Sequence, residues 1–162
     1  MEDQYKKAKL SAIRFLGFRS QTVVEMQQKL TRQGFDQRTV LQVVSELRNT
    51  GYLNDERFAQ EFIRYQLMRK PTGRFLMTAK LKEHGVSEDV INRIISRELS
   101  ADKEKELALE VAEGKKKELR IKLAKLSSLQ KQKIGQYLSS RGFSSDIVWE
   151  TIERLDKGDK DW

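Results

Sequence analysis

The sequence predicts an all-α protein built from three tandem three-helix repeats, helix-turn-helix-like in design, that form an elongated, curved, solenoid-like body. One elbow pattern occurs three times, and apolar residues follow a helical period around each copy. A single proline in 162 residues argues against a loop-rich or all-β fold. Charged residues make up 35% of the chain, which favours extended surface over one deep core.

The elbow pattern joins the second and third helix of each repeat. Leucine lies in the last turn of one helix, glycine four residues later ends that helix in the left-handed conformation, and Asp or Ser caps the next helix. Apolar residues just before the cap and four positions after it form a hydrophobic staple. The copies are Leu30, Gly34, Phe35, Asp36 and Val40; Leu81, Gly85, Val86, Ser87 and Ile91; and Leu138, Gly142, Phe143, Ser144 and Val148.

The first two repeats are predicted from apolar periodicity around these elbows. Residues 1–50 hold helices over about 5–16, 22–33 and 37–49, the second opened by the capping box Thr22-x-x-Glu25. Residues 51–100 hold helices over about 54–68, 73–84 and 88–99. Two sets of apolar side chains are expected to face the core: Leu10, Ile13 and Leu16, and Phe58, Phe62 and Tyr65.

The third repeat, residues 101–156, is the basic one. Its first helix starts near Ala101 and either breaks at Gly114 or continues to Leu126, since a helical glycine costs only about 1 kcal/mol. Helices over about 129–140 and 145–155 follow. Residues 157–162 are polar and are predicted to form a disordered tail.

The net charge of +8 is concentrated in one segment, where nine basic residues face only Glu118. Such a segment is either a solvated helical face, with Leu119, Leu123 and Leu126 as its buried stripe, or a contact for phosphates or an acidic protein surface. The nine are Lys115, Lys116, Lys117, Arg120, Lys122, Lys125, Lys131, Lys133 and Arg141. A second candidate patch lies beside Pro71 and consists of Arg64, Arg69, Lys70 and Arg74.

Several kinds of chemistry are not expected. The absence of cysteine excludes disulfides, thiolate nucleophiles and cysteine zinc sites. The one histidine, His84, precedes a helix-ending glycine, and the acidic pair Asp55–Glu56 is explained by a helix N-terminus. We therefore expect no enzymatic activity, no metal and no cofactor. No apolar run reaches the roughly 18 residues of a membrane span and no signal peptide is apparent, so we expect a soluble, cytoplasmic protein. We also expect it to be a monomer.

Two strings carry a family resemblance: Gly51-Tyr52-Leu53-Asn54-Asp55-Glu56-Arg57-Phe58-Ala59, and upstream Arg19-x-x-Thr22-x-x-Glu25-Met26-x-x-Lys29-Leu30. Together with the three elbows they resemble the RecX family, regulators of the bacterial recombinase RecA. Within the first string, the resemblance gives Gly51, Tyr52, Leu53, Asp55 and Phe58 a mainly structural role. One departure lies in the second repeat, where Leu76 and Met77 occupy the family's Arg-Ile positions. Arg74 is the candidate substitute for that arginine.

The resemblance implies a protein that binds in the groove of a RecA filament on single-stranded DNA, without sequence preference. It also implies inhibition of recombinase and ATPase activity, with a role in DNA repair and the SOS response. The alternative is a free-standing DNA-binding or transcription-regulating helical protein. In the second repeat's third helix, however, Arg93 and Arg97 accompany Glu88, Asp89 and Glu98, which is a poor composition for reading a major groove. A purely protein-binding scaffold leaves the local charge unexplained.

Overall fold

The computed structural model describes residues 2–122 and 125–158, and this part of the chain consists of helices joined by turns and loops, without a strand. Nine helices lie in the described ranges and fall into three consecutive three-helix repeats, which confirms the predicted fold class. They are α1 Glu2–Phe18, α2 Val23–Arg32, α3 Gln37–Asn49, α4 Asp55–Arg69, α5 Arg74–Glu83, α6 Glu88–Glu98, α7 Ala101–Glu118, α8 Ser128–Ser140 and α9 Ser145–Lys157. Of the predicted tail, residues 159–162 lie outside the described residues.

The chain divides into two compact units. The first unit comprises Met1–Phe62 and Leu81–Ile94, and the second comprises Ile63–Lys80 and Ile95–Trp162. The division passes through α4, α5 and α6, so each unit contains one terminal repeat and part of the middle repeat. None of the described helices is long and apolar enough to span a bilayer.

The three elbows share one hydrogen-bond pattern. The elbow glycines Gly34, Gly85 and Gly142 have φ values of +88°, +79° and +86°. Each glycine N–H donates to the carbonyl three residues earlier, and the next residue's N–H donates to the elbow leucine, at 2.9–3.3 Å. This is the Schellman arrangement, which satisfies the last carbonyls of a helix before the chain turns. The predicted helix stops are confirmed.

Three of the predicted caps also form, at the starts of α2, α3 and α9. Thr22 and Glu25 make the reciprocal capping box at the start of α2. The side chains of Asp36 and Ser144 accept hydrogen bonds from backbone N–H groups in the first turns of α3 and α9. These bonds satisfy donors that a helix start otherwise leaves unpaired, each contributing about 1 kcal/mol.

The buried face of α1 differs from the prediction. Leu10 and Ile13 are at least half exposed, whereas Ala8 and Ala12 are fully buried against α2 and α3. The two alanines lie one helical turn apart, and their small side chains allow close helix packing that the larger residues would prevent. The prediction was therefore wrong for Leu10 and Ile13, whereas Leu16 is half-buried and packs against the same core as Ala8 and Ala12.

In α4 the predicted inward face is correct only in part. Phe58 is buried and Phe62 is half-buried, but Tyr65 is 52% exposed. The buried stripe instead passes through Ala59 and Ile63, again one turn apart. Tyr65 thus belongs to the surface.

The first helix of the third repeat continues through Gly114 and ends at Glu118, not at Leu126. Its end has the same Schellman bonds as the elbows, from Arg120 N–H to Lys117 O and from Ile121 N–H to Lys116 O. Here the left-handed position is held by Arg120, with φ +55°, and not by glycine. Of the predicted buried stripe, Leu126 is buried, while residue 123 lies outside the described residues.

Two junctions between consecutive repeats are built alike, each joining the turn before one repeat's second helix to the next repeat's elbow. In the first unit, Thr22 Oγ1 donates to His84 O at 2.6 Å, and a Cβ on Gly85 would lie 2.6 Å from Val24 Cβ. In the second unit, Gly73 N–H donates to Arg141 O at 2.8 Å. Contacts this close leave no room for a side chain at either elbow.

Candidate nucleic-acid interface

The excess positive charge lies in the second unit. That unit contains twenty Lys and Arg against thirteen Asp and Glu, a net charge of +7, whereas the first unit contains twelve against eleven. Neutral protein surfaces intersperse the two signs, as the first unit does. A polyanionic partner would therefore be attracted to the second unit.

Six of the nine predicted basic residues remain at the surface, and we call this set the basic corner. They lie at the end of α7, in the turn after it, and in α8, and Lys116 is half-exposed while the others are exposed. Within the described residues none of the six forms an ion pair with a carboxylate. The basic corner consists of Lys116, Lys117, Arg120, Lys122, Lys125 and Lys133.

Two of the nine are occupied by contacts within the fold. Lys115 Nζ pairs with Glu118 at 2.8 Å and lies 4.7 Å from the centroid of the Tyr137 ring. Lys131 Nζ pairs with Asp156 at 2.5 Å, and this hydrogen bond, together with one from Leu126 N–H, holds the pKa of Asp156 below its usual value. Both cations already serve internal partners.

The ninth residue, Arg141, is only 7% exposed and cannot be a surface contact. Its guanidinium donates to the carbonyl of Pro71 and, at 3.3 Å, to the hydroxyl of Thr72. Because the residue precedes the elbow glycine Gly142, its side chain is directed into the junction with the turn between α4 and α5. Sequence alone placed it among the surface cations because its charge gives no sign of this long-range contact.

The second predicted patch divides in the same way. Arg64 pairs with Glu98 at 2.9 Å, and this hydrogen bond raises the pKa of the Arg64 guanidinium. Arg74 donates to Glu104 through its side chain and its backbone N–H, and to Leu99 O at 2.9 Å. Arg74 therefore fixes the start of α5 against the start of α7, which argues against it as a substitute partner contact.

The remaining two members of this patch stay at the surface. Arg69 donates to the hydroxyl of Tyr65 at 2.8 Å, and its guanidinium lies 5.5 Å from the centre of that ring. Lys70 is exposed and, among the described residues, makes no ion pair with a carboxylate. Two of the four predicted cations are thus available to a partner.

A cleft of about 400 Å³ lies beside the basic corner. Lys116, Lys117 and Lys122 line it, over a floor that includes Leu109 and Ile121. Glu113 and Arg154, which sequence reasoning did not select, line it as well. A helical period counted back from Lys117 would have found Glu113, but Arg154 reaches the cleft only through the packing of α9 on α7.

The motif residues after α3 are structural, with one exception. Gly51 ends α3 with φ +77°, and Leu53 is buried with its N–H bonded to Leu47 O at 2.9 Å. Phe58 is buried against the His84 ring. Asp55 accepts a hydrogen bond from Val23 N–H at 3.0 Å, which satisfies a donor at the start of α2.

Tyr52 is the exception, because it is mostly exposed and does not plug the core as its neighbour Leu53 does. In the described part of the chain no three His, Cys, Asp or Glu side chains are grouped as metal ligands.

Three consecutive three-helix repeats with a cationic surface in the last define a tandem helical-repeat protein. Models of the first, second and third three-helix domains of RecX match residues 8–47, 54–99 and 102–152. The chain belongs to the RecX family of regulatory proteins.

Similar proteins support this assignment along most of the sequence. The regulatory protein RecX of Pelodictyon phaeoclathratiforme is 32% identical over 143 residues, which cover 88% of this chain and 82% of that protein. RecX of Clostridium perfringens strain SM101 is 31% identical over 154 residues, covering 95% and 71%. The crystal structure of RecX from Lactobacillus salivarius has a TM-score of 0.87 at 20% identity, covering 97% of this chain and 99% of that one, and so shows the shared fold.

Proposed function

We propose that this protein regulates RecA by binding its filament on single-stranded DNA and lowering both recombinase and ATPase activity. Family membership supports the regulatory role, since the relatives at 32% and 31% identity are named regulatory protein RecX. The observation that carries the contact with a polyanion is the basic corner. Six cations without carboxylate partners among the described residues remain free to meet phosphates.

The same proposal places the protein in the cytoplasm, as a monomer acting in recombination, DNA repair and the SOS response. Phosphate contacts from lysine and arginine position a protein on nucleic acid without reading its sequence. Regulation of a filament that forms on any single strand requires only this kind of contact. Base-specific readout is not part of the proposal.

The test is RecA's single-stranded-DNA-dependent ATP hydrolysis with and without this protein. We expect substoichiometric inhibition, because one bound regulator affects a filament of many subunits. Unchanged hydrolysis, together with tight binding to duplex DNA, would instead favour a free-standing DNA-binding protein. Arg93 and Arg97 pair with Glu56 and Glu98, which leaves α6 few free donors for a major groove.

A charge-reversal variant tests the basic corner itself. Changing Lys116, Arg120 and Lys122 to glutamate should leave helicity intact and abolish most of the inhibition. A matched control reverses three exposed arginines of the first unit, Arg14, Arg32 and Arg38, with the same change in net charge. If both triple variants lost inhibition equally, net charge and not the basic corner would be responsible.

A further inference from the structure

The turn between α4 and α5 combines exposed apolar side chains with uniform positive charge. Tyr65, Met68 and Phe75 are 52%, 86% and 62% exposed. They are three of the ten large hydrophobic side chains that are exposed in the described chain, yet they fall within eleven residues. Several exposed apolar side chains on one segment are typical of a contact surface, whereas single ones scattered over a protein need no explanation.

The charge around these side chains has one sign. From Ile63 to Lys80 the sequence contains five Lys and Arg and no Asp or Glu. The two carboxylates that reach this segment, Glu98 and Glu104, are engaged with Arg64 and Arg74. Arg69, Lys70 and Lys80 remain. Arg69 contacts the Tyr65 ring and Lys70 begins the turn, and within the described residues neither of these two pairs with a carboxylate.

Single-stranded nucleic acid is the partner that this combination fits. Its phosphates meet free cations, and its unpaired bases stack on exposed aromatic rings. A duplex offers the phosphates but keeps its bases stacked internally, and an acidic protein surface offers charge without planar rings. Arg69 adds to the effect, because its guanidinium lies 5.5 Å from the Tyr65 ring and can contribute both to stacking and to phosphate binding.

We propose that Tyr65 and Phe75 form a base-stacking platform for single-stranded DNA at the turn between α4 and α5, with Arg69 and Lys70 binding the adjoining phosphates. Met68 supplies a flexible apolar edge to the same surface. The inference deepens the proposed function and rests on it for the choice of DNA over RNA. It separates two kinds of contact: the basic corner binds backbone only, whereas the α4–α5 turn also binds bases.

The experiment measures binding of the full-length protein to fluorescently labelled dT30 by anisotropy at low salt. A 30-mer of abasic sites has the same phosphates without bases and is the key comparison. We expect the abasic strand to bind about tenfold more weakly than dT30, because base–aromatic stacking contributes about 1–3 kcal/mol per base. Equal affinity for the two strands, or no detectable binding of dT30, would overturn the proposal.

The variant Tyr65→Ala/Phe75→Ala should reduce dT30 binding about tenfold and leave abasic binding unchanged. The matched control, Leu129→Ala/Trp149→Ala, removes two exposed side chains of the same unit that lie outside this surface. Circular dichroism checks that both variants keep their helicity. The single variant Phe75→Trp should retain binding, because the larger indole also stacks. A Tyr65→Ala/Phe75→Ala variant that bound dT30 like the wild type would contradict the platform.

Failure of this inference can be told apart from failure of the proposed function. If Tyr65→Ala/Phe75→Ala binds dT30 normally while the protein inhibits RecA ATP hydrolysis, only the platform is wrong. If the wild type leaves RecA ATP hydrolysis unchanged but binds dT30 more tightly than the abasic strand, the stacking platform is supported and the proposed filament role is wrong. The two measurements use different partners and are independent.

Discussion

Nδ1 of His84 lies 2.8 Å from Oε1 of Glu25, a hydrogen bond that joins the end of α5 to the first turn of α2. The imidazole also packs against the rings of Phe58 and Phe62, with centroids 5.2 and 5.3 Å away. Glu25 therefore closes a capping box and links two repeats at once.

This pair predicts a pH dependence of stability. Burial raises the pKa of Glu25, but hydrogen bonds from His84, Arg19 and Thr22 lower it by more. The net result is a pKa below 4.5. A carboxyl group whose pKa is lowered by folding stabilises the fold at pH values above its unfolded-state pKa. That stabilisation is lost as the pH falls through its folded-state pKa. Glu25→Gln should lower the free energy of unfolding by about 1–2 kcal/mol at pH 7. Urea titrations should show the difference shrinking below pH 4.5.

The Asp55 carboxyl predicts the opposite dependence of stability on pH. Burial raises its pKa above 3.8 although its carboxylate accepts a hydrogen bond from Val23 N–H. Stability from this group therefore declines as the pH rises through its folded-state pKa. Asp55→Asn keeps an acceptor without the buried charge and should be at least as stable as the wild type at pH 7, whereas Asp55→Ala should lose about 1 kcal/mol. An Asn variant as unstable as the Ala variant would refute this account.

The elbow glycines should differ in their tolerance of alanine. Gly34→Ala should cost about 1–2 kcal/mol, from the left-handed backbone alone, because an added Cβ meets nothing within 4 Å. At Gly85 the Cβ would strike Val24, and at Gly142 it would overlap the backbone nitrogen and Cβ of Leu76. Both should lose a further 1–3 kcal/mol or so through overpacking, measured by chemical denaturation. Equal losses at all three would contradict the junctions described above.

Replacing Arg120 with glycine should stabilise the protein. A non-glycine residue in the left-handed region costs about 1–2 kcal/mol, and glycine's greater unfolded-state entropy offsets part of the relief. Arg120→Gly should therefore raise the free energy of unfolding by roughly 0.5–1 kcal/mol. Arg120→Ala, which removes the same charge but keeps the strain, is the control and should show no gain. A gain in both variants would point to charge repulsion and not to the backbone.

DNA binding should weaken steeply with salt. If all six cations of the basic corner contact phosphates of a single strand, they contribute about −4 to the slope of log K against log salt concentration, and Arg69 and Lys70 add about −1 more. Lys116→Glu/Arg120→Glu/Lys122→Glu should make that slope shallower, whereas Tyr65→Ala/Phe75→Ala should weaken binding without changing it. The measurement is anisotropy with dT30 between about 50 and 200 mM salt. A slope near zero in the wild type would refute the phosphate contacts.

The features that sequence predicted correctly are local ones. An elbow needs only a glycine at the left-handed position, a cap and a staple within eleven residues, and all three copies could be found without knowing their neighbours. The errors involve distant residues. The burial of Arg141 depends on Pro71, and the role of His84 depends on Glu25, some sixty to seventy positions away. Charge alone does not reveal that a cation is already bound within the fold.

The surface role of Tyr65 was missed for a related reason. An aromatic residue at helical spacing from Phe58 and Phe62 resembles a core residue, and only the packing of Ala59 and Ile63 shows which side of α4 is buried. The basic corner was easier to find, since a run of one charge sign is visible in the sequence itself.

The two covered elbows also give the architecture a direction. Gly85 and Gly142 each depend on a turn in the preceding repeat, through Val24 and Leu76, while Gly34 lies open. Deleting the first repeat would remove Val24 and so expose the elbow at Gly85. Deleting the first two would also remove Leu76 and expose the elbow at Gly142. Deleting the third repeat would instead leave the contact between Gly85 and Val24 in place and Gly34 as open as before, so the elbow contacts favour truncation from the carboxyl end.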